Sequence, residues 1–457
     1  MSNNEEKKVV VRMPPSPTGY VHIGNVRTLL FNYLFAKKHG GKIIFRSEDT
    51  DAARSKREYE DANLDDLAWL GLSWDEFCRQ SERKHIHRAH LEKLIGEGKA
   101  YLSKEESKLT PGEMTEVVRL KNPGKTITFV DEIRGEITFD TTELGDIVIA
   151  RAIDDPVYHF AVVADDFDMG ITHIIRGEEH ISNTPRQILI GEALGAPRPV
   201  YAHLPIILAP DRSKLSKRHG ATSLHEYRET GYLKEALVNY LALVGWSPGT
   251  DEEFFTLPEL VLRFDLGGIQ KSAGVFNADK LIWFNRAYLK QIPDTDFAAH
   301  ARTRIPETLA SFLEREDIEY IGRFERLLPT IRDRTSILSD ISRDAESGEY
   351  DFAFFTPQPS PDMLMWKKDT APRDALSRLQ KLTELLEVLP AYPSADEAKS
   401  AVWDYAEKEG RGEVLWPLRV ALSGREKSPD PFTLIHIIGA KEAQKRLKNC
   451  CAILGRA

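Results

Sequence analysis

The sequence has few cysteines, no long apolar run and no excess of positive charge. Cys78, Cys450 and Cys451 are too few for a disulfide framework, and no CxxC or CxC pair stands at metal-ligand spacing from a histidine. No apolar run approaches the roughly 18 residues that a membrane-spanning helix needs, and Met1 to Lys8 is polar, unlike a signal peptide. These absences argue against a disulfide scaffold, a structural zinc site and a membrane protein, and they favour the cytoplasm.

Length and charge limit the remaining classes. A chain of 457 residues, 41% hydrophobic and 29% charged, is too long for one core, so we expect about two to four domains. The net charge of −9 argues against a general nucleic-acid binder, although local basic patches can still steer phosphates. The candidate patches are Arg83–Arg88 and Lys441–Lys448, and each is also what a solvated helix face looks like.

The stretch from Val9 to Asp51 has the pattern of a strand, a loop, a helix and a second strand. Val9–Val11 is a short apolar run that prolines end, and Lys42–Arg46 is a second one. The loop contains His22, and it lies at the carboxyl end of a predicted parallel strand and at a helix N-terminus, where unpaired amides favour phosphate. This stretch alone leaves nucleotide binding and an ordinary polar loop equally open. The apolar positions of the predicted helix are Val26, Leu29, Leu30, Tyr33 and Leu34.

A second stretch, Lys214–Arg218, has three cations in five residues. Alone it predicts a solvated loop. Together with Pro15–Gly19 and His22–Asn25, it resembles the HIGH and KMSKS motifs of class I aminoacyl-tRNA synthetases, in the same order along the chain. Asn25 departs from the second histidine of HIGH, which this class tolerates.

Two further stretches narrow the resemblance. Arg46–Asp51, Arg176–His180 and the Lys-Leu-Ser-Lys-Arg form of the second motif are similar to the bacterial type of glutamyl-tRNA synthetase. The similarity extends over essentially the whole chain. It implies an α/β fold: a Rossmann-like catalytic domain with an α+β insertion, a stem-contact domain and an all-α C-terminal anticodon-binding region. The implied domains are a first catalytic half (1–100), an inserted acceptor-binding subdomain (101–156), a second catalytic half (157–223), a stem-contact domain (224–304) and a helical region (305–457) with a break near 356–361.

Periodicity predicts further elements along the chain. His90 to Leu102 has helical spacing, whereas Tyr158 to Ala164 is an apolar run typical of a strand. Pro431 to Leu454 predicts one long helix that begins at a proline. Strand signals fade after Ile305, and the prolines of Thr356–Pro361 predict a linker.

The resemblance implies ATP-dependent attachment of glutamate to tRNA in two steps, with His22, Lys214 and Lys217 as catalytic residues. The substrates would be L-glutamate, ATP with Mg²⁺ and tRNA(Glu), and tRNA(Gln) is left open as a further substrate. The enzyme would be a monomer without zinc. The residues implied to bind ATP are Pro15, Ser16, Pro17, Thr18, Gly19, His22, Ile23, Gly24, Asn25, Lys214, Leu215, Ser216, Lys217 and Arg218. The residues implied to bind glutamate are Arg12, Ser16, Glu48, Tyr158 and Arg176.

Three alternatives remain at this stage. A glutaminyl-tRNA synthetase shares both motifs, but the helical C-terminal third and Arg46–Asp51 count against it. A truncated relative that glutamylates a queuosine base would lack that third, and a tRNA-binding protein with a decayed site would not keep His22, Gly24, Lys214 and Lys217. Without the resemblance, Arg12 would be expected to form a structural ion pair with Glu48 or Asp49.

Overall fold

The computed structural model describes residues 8–106, 112, 114–216, 218, 220–314 and 317–456. The chain divides into two compact units, Met1–Asn285 and Arg286–Ala457. The strands of the first unit are β1 (Val10–Met13), β2 (Lys42–Ser47), β3 (Glu76–Arg79), β4 (Ala100–Glu106), β5 (Met114–Leu120), β6 (Thr126–Asp131), β7 (Gly135–Asp140), β8 (Ile147–Ala152), β9 (Asp155–Pro156), β10 (His173–Gly177), β11 (Val200–Leu204), β12 (Ile207–Leu208) and β13 (Gly274–Val275). Its helices are α1 (Ile23–Lys38), α2 (Arg57–Trp69), α3 (Lys84–Gly96), α4 (Tyr158–Asp168), α5 (Thr184–Leu194), α6 (Leu224–Thr230), α7 (Lys234–Leu243), α8 (Leu257–Arg263) and α9 (Ala278–Leu289), which begins in this unit.

Parallel strands form the centre of the first unit. β1, β2 and β3 pair in parallel in that order, and β10 pairs in parallel with β11. Val10 and Thr172 join the two groups, because the Thr172 amide donates to the Val10 carbonyl at 3.0 Å. The predicted strand, loop, helix and strand are confirmed as β1, α1 and β2. Gly40, at φ +57°, follows α1 and allows the turn into β2.

The apolar run at Tyr158–Ala164 is a helix, so the prediction of a strand there is wrong. A short continuous apolar run does not distinguish a buried strand from a buried helix. Phe160, Ala161 and Ala164 of α4 are buried. Phe160 and Ala164 belong to the same apolar core as Ile174 of β10. The run therefore packs into the core of the first unit as a helix.

The segment His90–Leu102 also differs from its prediction. α3 ends at Gly96, and Gly98 adopts φ +69°, a conformation that stops a helix. Ala100–Leu102 belongs instead to β4, which pairs antiparallel with β5. The strand that begins at Ala100 was not predicted, because the helical spacing of the preceding residues continues as far as Leu102.

Residues 101–156 contribute to two sheets. β4, β5, β8 and β9 form an antiparallel sheet of their own. The hairpin of β6 and β7 joins β11 instead, where Asp131 pairs with Tyr201. Ile127 and Phe129 of this hairpin are buried in the same core as Ile174. The hairpin therefore reaches the catalytic sheet directly.

The second unit is helical: none of its described residues, 286–314 and 317–456, belongs to a strand, which confirms the prediction that strand signals end. Pro431–Leu454 is two helices rather than one, because Gly439 at φ +82° separates them. The segment Thr356–Ser360 has no helix, and helices from both sides of it pack together. The remaining helices are α10 (Asp294–Arg302), α11 (Glu307–Glu314), α12 (Ile318–Arg334), α13 (Ser339–Glu346), α14 (Asp351–Phe354), α15 (Pro361–Leu364), α16 (Pro372–Leu385), α17 (Ala395–Glu409), α18 (Arg411–Ser423), α19 (Pro431–Ile438) and α20 (Ala440–Leu454).

Several side chains of the two candidate basic patches form hydrogen bonds inside their own unit. Arg83 donates to Asp165 at 2.7 Å, and His87 is buried against the same carboxylate at 2.8 Å. Arg446 is 1% exposed and donates to the carbonyls of Leu422 and Phe355. These side chains are therefore not available to phosphates. No helix in the described part of the chain has both the length and the apolar composition that crossing a bilayer requires.

Candidate active site

A cleft of about 390 Å³ opens where β1, β10 and the N-terminus of α1 meet. Several residues predicted from the sequence line it together. They are Arg12, Pro15, Ser16, Thr18, Gly19, His22, Asn25, Glu48, Tyr158 and Arg176. The cleft is also lined by residues that were not predicted to bind ATP or glutamate: Pro14, Tyr20, Val21, Thr28, Leu29, Gly177, Glu179 and His180.

The loop before α1 is held by backbone contacts to its neighbours. The Glu48 amide donates to the Pro15 carbonyl at 3.0 Å, which ties the loop to the end of β2. Asn63, buried on α2, accepts from the Val21 amide at 2.8 Å and donates to the Gly19 carbonyl at 3.0 Å. These hydrogen bonds fix the position of the loop relative to β2 and α2.

His22 caps the N-terminus of α1. Its Nδ1 accepts from the Gly24 amide at 3.1 Å, so Nδ1 has no proton and the neutral ring carries its proton on Nε2. Burial and the nearby charge of Lys214 lower the pKa of His22. At neutral pH the ring is therefore an uncharged hydrogen-bond donor at a helix N-terminus.

The chain a few residues after the cationic segment pairs with the same loop through its backbone. The Ile23 amide donates to the Thr222 carbonyl at 2.8 Å, and the Leu224 amide donates to the Val21 carbonyl at 2.9 Å. Lys214 does not line the cleft, but its charge acts on His22. Lys217 lies outside the described residues. Its role stays a prediction.

Six other predicted ATP-binding residues of the described chain stay out of the cleft lining. Ile23, Pro17 and Leu215 are buried, and Arg218 donates to Ser213 Oγ within its own loop at 2.8 Å. Gly24 acts through its amide on His22, and Ser216 also lies outside the lining.

Arg12 and Arg46 form a buried network with two carboxylates. Arg46 is fully buried and donates to Asp166 Oδ1 at 2.7 Å and to Glu48 Oε1 at 2.9 Å. Arg12 is 2% exposed; its Nε reaches Asp166 Oδ2 at 3.5 Å, and its buried Nη1 has no protein partner in the described structure. The structural ion pair considered for Arg12 therefore exists with Asp166, not with Glu48 or Asp49, and it is long.

Arg176 is held by three uncharged groups. Its Nε donates to His203 Nε2 at 3.1 Å, Nη1 to Gln187 Oε1 at 2.7 Å and Nη2 to Thr184 Oγ1 at 2.9 Å. Burial and the charge of Arg12 lower the pKa of Arg176. Among the described residues, no carboxylate is hydrogen-bonded to Arg176. A buried cation next to another cation and without such a partner favours an anionic ligand.

His203 links Arg176 to the β6 strand. Because Arg176 can only donate, His203 Nε2 is the acceptor and Nδ1 carries the proton that is donated to Asp131 Oδ2 at 2.6 Å. Burial lowers the pKa of His203, which keeps the ring neutral. Asp131 also accepts from the amides of Ile133 and Arg134. Asp131, His203 and Arg176 thus form one continuous chain of hydrogen bonds.

Glu48 and Tyr158 line the same cleft as Arg12 and Arg176. Burial raises the pKa of Glu48 despite the nearby Arg46, and burial together with Glu48 raises the pKa of Tyr158. Burial and Arg176 lower the pKa of His180 to about 4, so this ring is neutral as well. The cleft therefore has two guanidiniums, Arg12 and Arg176, and one carboxyl group, Glu48.

The supporting residues Asp131, Asp166, Gln187 and His203 were not predicted from the sequence. Asp166 offered a signal, since a charged pair at Asp165-Asp166 interrupts an otherwise apolar run. Asp131 and His203 offered none, because 72 residues separate them along the chain. Within the described residues, no group of three histidine, cysteine or acidic side chains is placed to hold a metal ion.

The fold and the cleft define a class I aminoacyl-tRNA synthetase. A family model described as the catalytic domain of class I tRNA synthetases (E and Q) matches residues 8–109 and 102–283, and one described as an anticodon binding domain matches residues 279–451.

Similarity to individual proteins identifies the particular family. The chain is 39% identical to a glutamate–tRNA ligase of Carboxydothermus hydrogenoformans, over 96% of this chain and 99% of that protein. It is 40% identical to the glutamate–tRNA ligase of Aquifex aeolicus, over 96% and 98%. The crystal structure of a glutamate tRNA ligase from Elizabethkingia meningosepticum, in complex with its amino acid, matches with a TM-score of 0.83 at 31% identity, over 98% of this chain and all of that one. The chain belongs to the glutamate–tRNA ligase family.

Proposed function

We propose that this chain attaches L-glutamate to tRNA with the energy of ATP, in two steps within the cleft. In the first step the α-carboxylate of glutamate attacks the α-phosphate of ATP, and pyrophosphate leaves. In the second step a terminal ribose hydroxyl of the tRNA attacks the adenylate carbonyl, an ester forms and AMP leaves. The proposal rests on one observation: two buried guanidiniums, those of Arg12 and Arg176, line the same cleft as the capped N-terminus of α1.

The first step needs positioning and donors for negative charge rather than a side-chain nucleophile. His22 Nε2–H is proposed to donate to a phosphate oxygen, helped by the dipole of α1. Lys214 and Lys217 are proposed to bind the leaving pyrophosphate. Mg²⁺ would enter as part of the Mg·ATP substrate and would neutralise part of the phosphate charge.

Glutamate is distinguished from glutamine by charge. Arg12 and Arg176 are proposed to bind its two carboxylates, while Glu48, Tyr158 and Ser16 hold its amino end. A guanidinium offers a carboxylate two parallel donors, which an amide cannot match. Glutamine would leave a buried guanidinium without its anion, a penalty of about 3–5 kcal/mol, or roughly a thousandfold in kcat/KM.

Pyrophosphate exchange tests the proposed reaction. We expect exchange of labelled pyrophosphate into ATP when glutamate and cognate tRNA are present, and none with glutamine in place of glutamate. No exchange with glutamate and tRNA(Glu) would contradict the proposal and favour a tRNA-binding protein without catalysis. Charging assays on purified tRNA(Glu) and tRNA(Gln) then define the tRNA range, and light scattering checks the predicted monomer.

We expect His22→Asn to lower kcat for adenylate formation about a hundredfold with little loss of stability. Asparagine is a good N-cap and can still accept from the Gly24 amide, but its shorter side chain removes the distal donor. His22→Ala is the matched comparison: it should lose the donor and also about 1 kcal/mol of stability from the missing cap. Single-turnover kinetics and urea unfolding measure the two effects, and unchanged kcat in His22→Asn would contradict the donor role.

We expect Asp131→Asn to raise KM for glutamate about tenfold while kcat changes little. Asp131 touches no substrate in this proposal; it is a positioning residue that orients His203 and, through it, Arg176. Asp140→Asn is the matched control, because Asp140 is exposed on the same hairpin and accepts only from Thr142. Steady-state exchange kinetics measure kcat and KM separately. If Asp131→Asn lowered kcat as much as it raised KM, or if Asp140→Asn changed both constants to the same extent, the positioning role would be contradicted.

A further inference from the structure

One peptide group of the first unit is held at both its polar atoms by charged side chains. It joins Pro205 to Ile206, between β11 and β12. Its carbonyl oxygen, that of Pro205, accepts from Arg27 Nη2, and its amide, that of Ile206, donates to Glu178 Oε1 at 2.9 Å. Hydrogen bonds to ionised groups are stronger than those between neutral groups. Arg27 and Glu178 therefore form a clamp that fixes this peptide group.

Arg27 reaches the peptide group from α1, the helix whose N-terminus His22 caps. It is 3% exposed, and its Nη1 donates to the Val244 carbonyl at 3.1 Å. Burial lowers the pKa of Arg27 to about 10, against the opposing charges of Glu179 and Glu178, so the guanidinium stays charged at pH 7. The two branches of its planar fork thus bind carbonyls from two different segments of the chain.

Glu178 reaches the same peptide group from the end of β10, whose last residue is Gly177. Its second oxygen, Oε2, accepts from Arg134 Nη2, and Arg134 Nη1 donates to the Lys271 carbonyl at 2.7 Å. Neither Arg27 nor Glu178 lines the active-site cleft. The clamp therefore acts on the backbone beside the cleft rather than on a group inside it.

The clamped peptide group lies just before the cationic segment. β12 follows it directly, and Leu208 of β12 forms an antiparallel bridge with Lys214. The Ala209 amide donates to the Ser213 carbonyl at 2.9 Å, which closes the turn between the two bridged residues. The position of Lys214 therefore follows from the position of β12, and the clamp holds the chain where β12 begins.

We propose that Arg27 and Glu178 are positioning residues for adenylate formation, because their clamp fixes the cationic segment relative to α1. The inference rests on the reaction proposed above, in which Lys214 and His22 bind the phosphates of ATP. Beyond the cationic segment, the Thr222 carbonyl already accepts from the first residue of α1, so the clamp supplies the second anchor of this segment. A displacement of about 1 Å in a group that binds the reacting atoms can cost about a hundredfold in rate.

Arg27→Lys and Glu178→Gln each weaken the clamp while keeping most of the side chain. Lysine keeps the charge but replaces the planar fork with one ammonium group. Both partners of Glu178 are donors, so the NH₂ group of glutamine leaves one of them without an acceptor. In glutamate-dependent pyrophosphate exchange, we expect each variant to raise KM for ATP about tenfold, the effect of losing one hydrogen bond to a charged group, and KM for glutamate less than about twofold. A smaller folded fraction alone would lower kcat and change neither KM.

Arg198→Lys and Glu192→Gln are the matched controls. Arg198 donates to the Thr128 carbonyl and to Glu192, both at 2.9 Å, so it also joins a carbonyl and a carboxylate, but neither belongs to the cationic segment. Both controls should keep KM for ATP within about twofold of the unchanged protein. A KM for ATP within about twofold in both clamp variants, or an equal rise in KM for ATP and for glutamate, would overturn the proposal.

Equilibrium dialysis with Mg·ATP gives a readout that does not need catalysis. No exchange in the unchanged protein would contradict the proposed function, and the Kd of Mg·ATP would then decide on the clamp: a rise of about tenfold in the clamp variants supports it, and an unchanged Kd overturns it. Thermal unfolding checks that each variant folds. The Glu178 side chain is 27% exposed, so Glu178→Gln decides the outcome if Arg27→Lys does not fold.

Discussion

Replacing Arg12 with glutamine should lower kcat/KM for glutamate about a thousandfold while the protein stays folded. The guanidinium is buried in the cleft, its Nη1 has no partner in the described protein, and its contact with Asp166 is long at 3.5 Å. Loss of a buried charge pair with the substrate costs about 3–5 kcal/mol. Asp166 keeps its shorter bond to Arg46, so we expect a stability loss of only about 1 kcal/mol.

Glutamate-dependent pyrophosphate exchange measures this effect, with KM for ATP as an internal reference that should change little. Arg88→Gln is the matched control. Arg88 is an exposed arginine of the same unit that pairs with Glu92 and Asp154, so exchange should be unaffected. A glutamate kcat/KM within about threefold of the unchanged protein would show that Arg12 does not bind the substrate.

Replacing Arg46 with methionine should lower the free energy of unfolding by about 3–5 kcal/mol at pH 7. Arg46 is fully buried between Asp166 and Glu48, and the variant leaves both carboxylates in the interior without their cation. Urea unfolding measures the loss. Arg54→Met is the matched control: its ion pair with Asp51 is exposed, and removing it should cost about 0–1 kcal/mol.

The loss in Arg46→Met should shrink as pH falls. Burial already raises the pKa of Glu48, and Arg46 is the main group that opposes this rise. Without Arg46 the folded state binds protons more readily than the unfolded state, so lowering the pH toward 4.5 stabilises the folded variant relative to the unchanged protein. A stability difference that stays constant from pH 8 to pH 5 would contradict a role for buried carboxylates.

Elements with strong local signals were predicted from the sequence. β1, α1 and β2 follow from an apolar run, a helical periodicity and a second apolar run, and all three are confirmed. Continuous apolar runs without a period of 2 or 3.6 residues were ambiguous between strand and helix. Tyr158–Ala164 has the composition of a strand, but in the structure it is part of a helix. Gly439 divides Pro431–Leu454 because a positive φ, not periodicity, ends α19 there.

The sequence by itself determined the family, because short motifs such as His22–Asn25, Arg176–His180 and Lys214–Arg218 occur together and in order, and the proposed binding residues follow from that resemblance. Only the tertiary structure decided how they are charged and held. Arg176 depends on His203, Asp131 and Gln187, and Arg12 and Glu48 depend on Asp166 and Arg46, from segments far apart along the chain. The physical reason is that hydrogen bonding and burial depend on distance in space, and folding sets that distance independently of sequence separation.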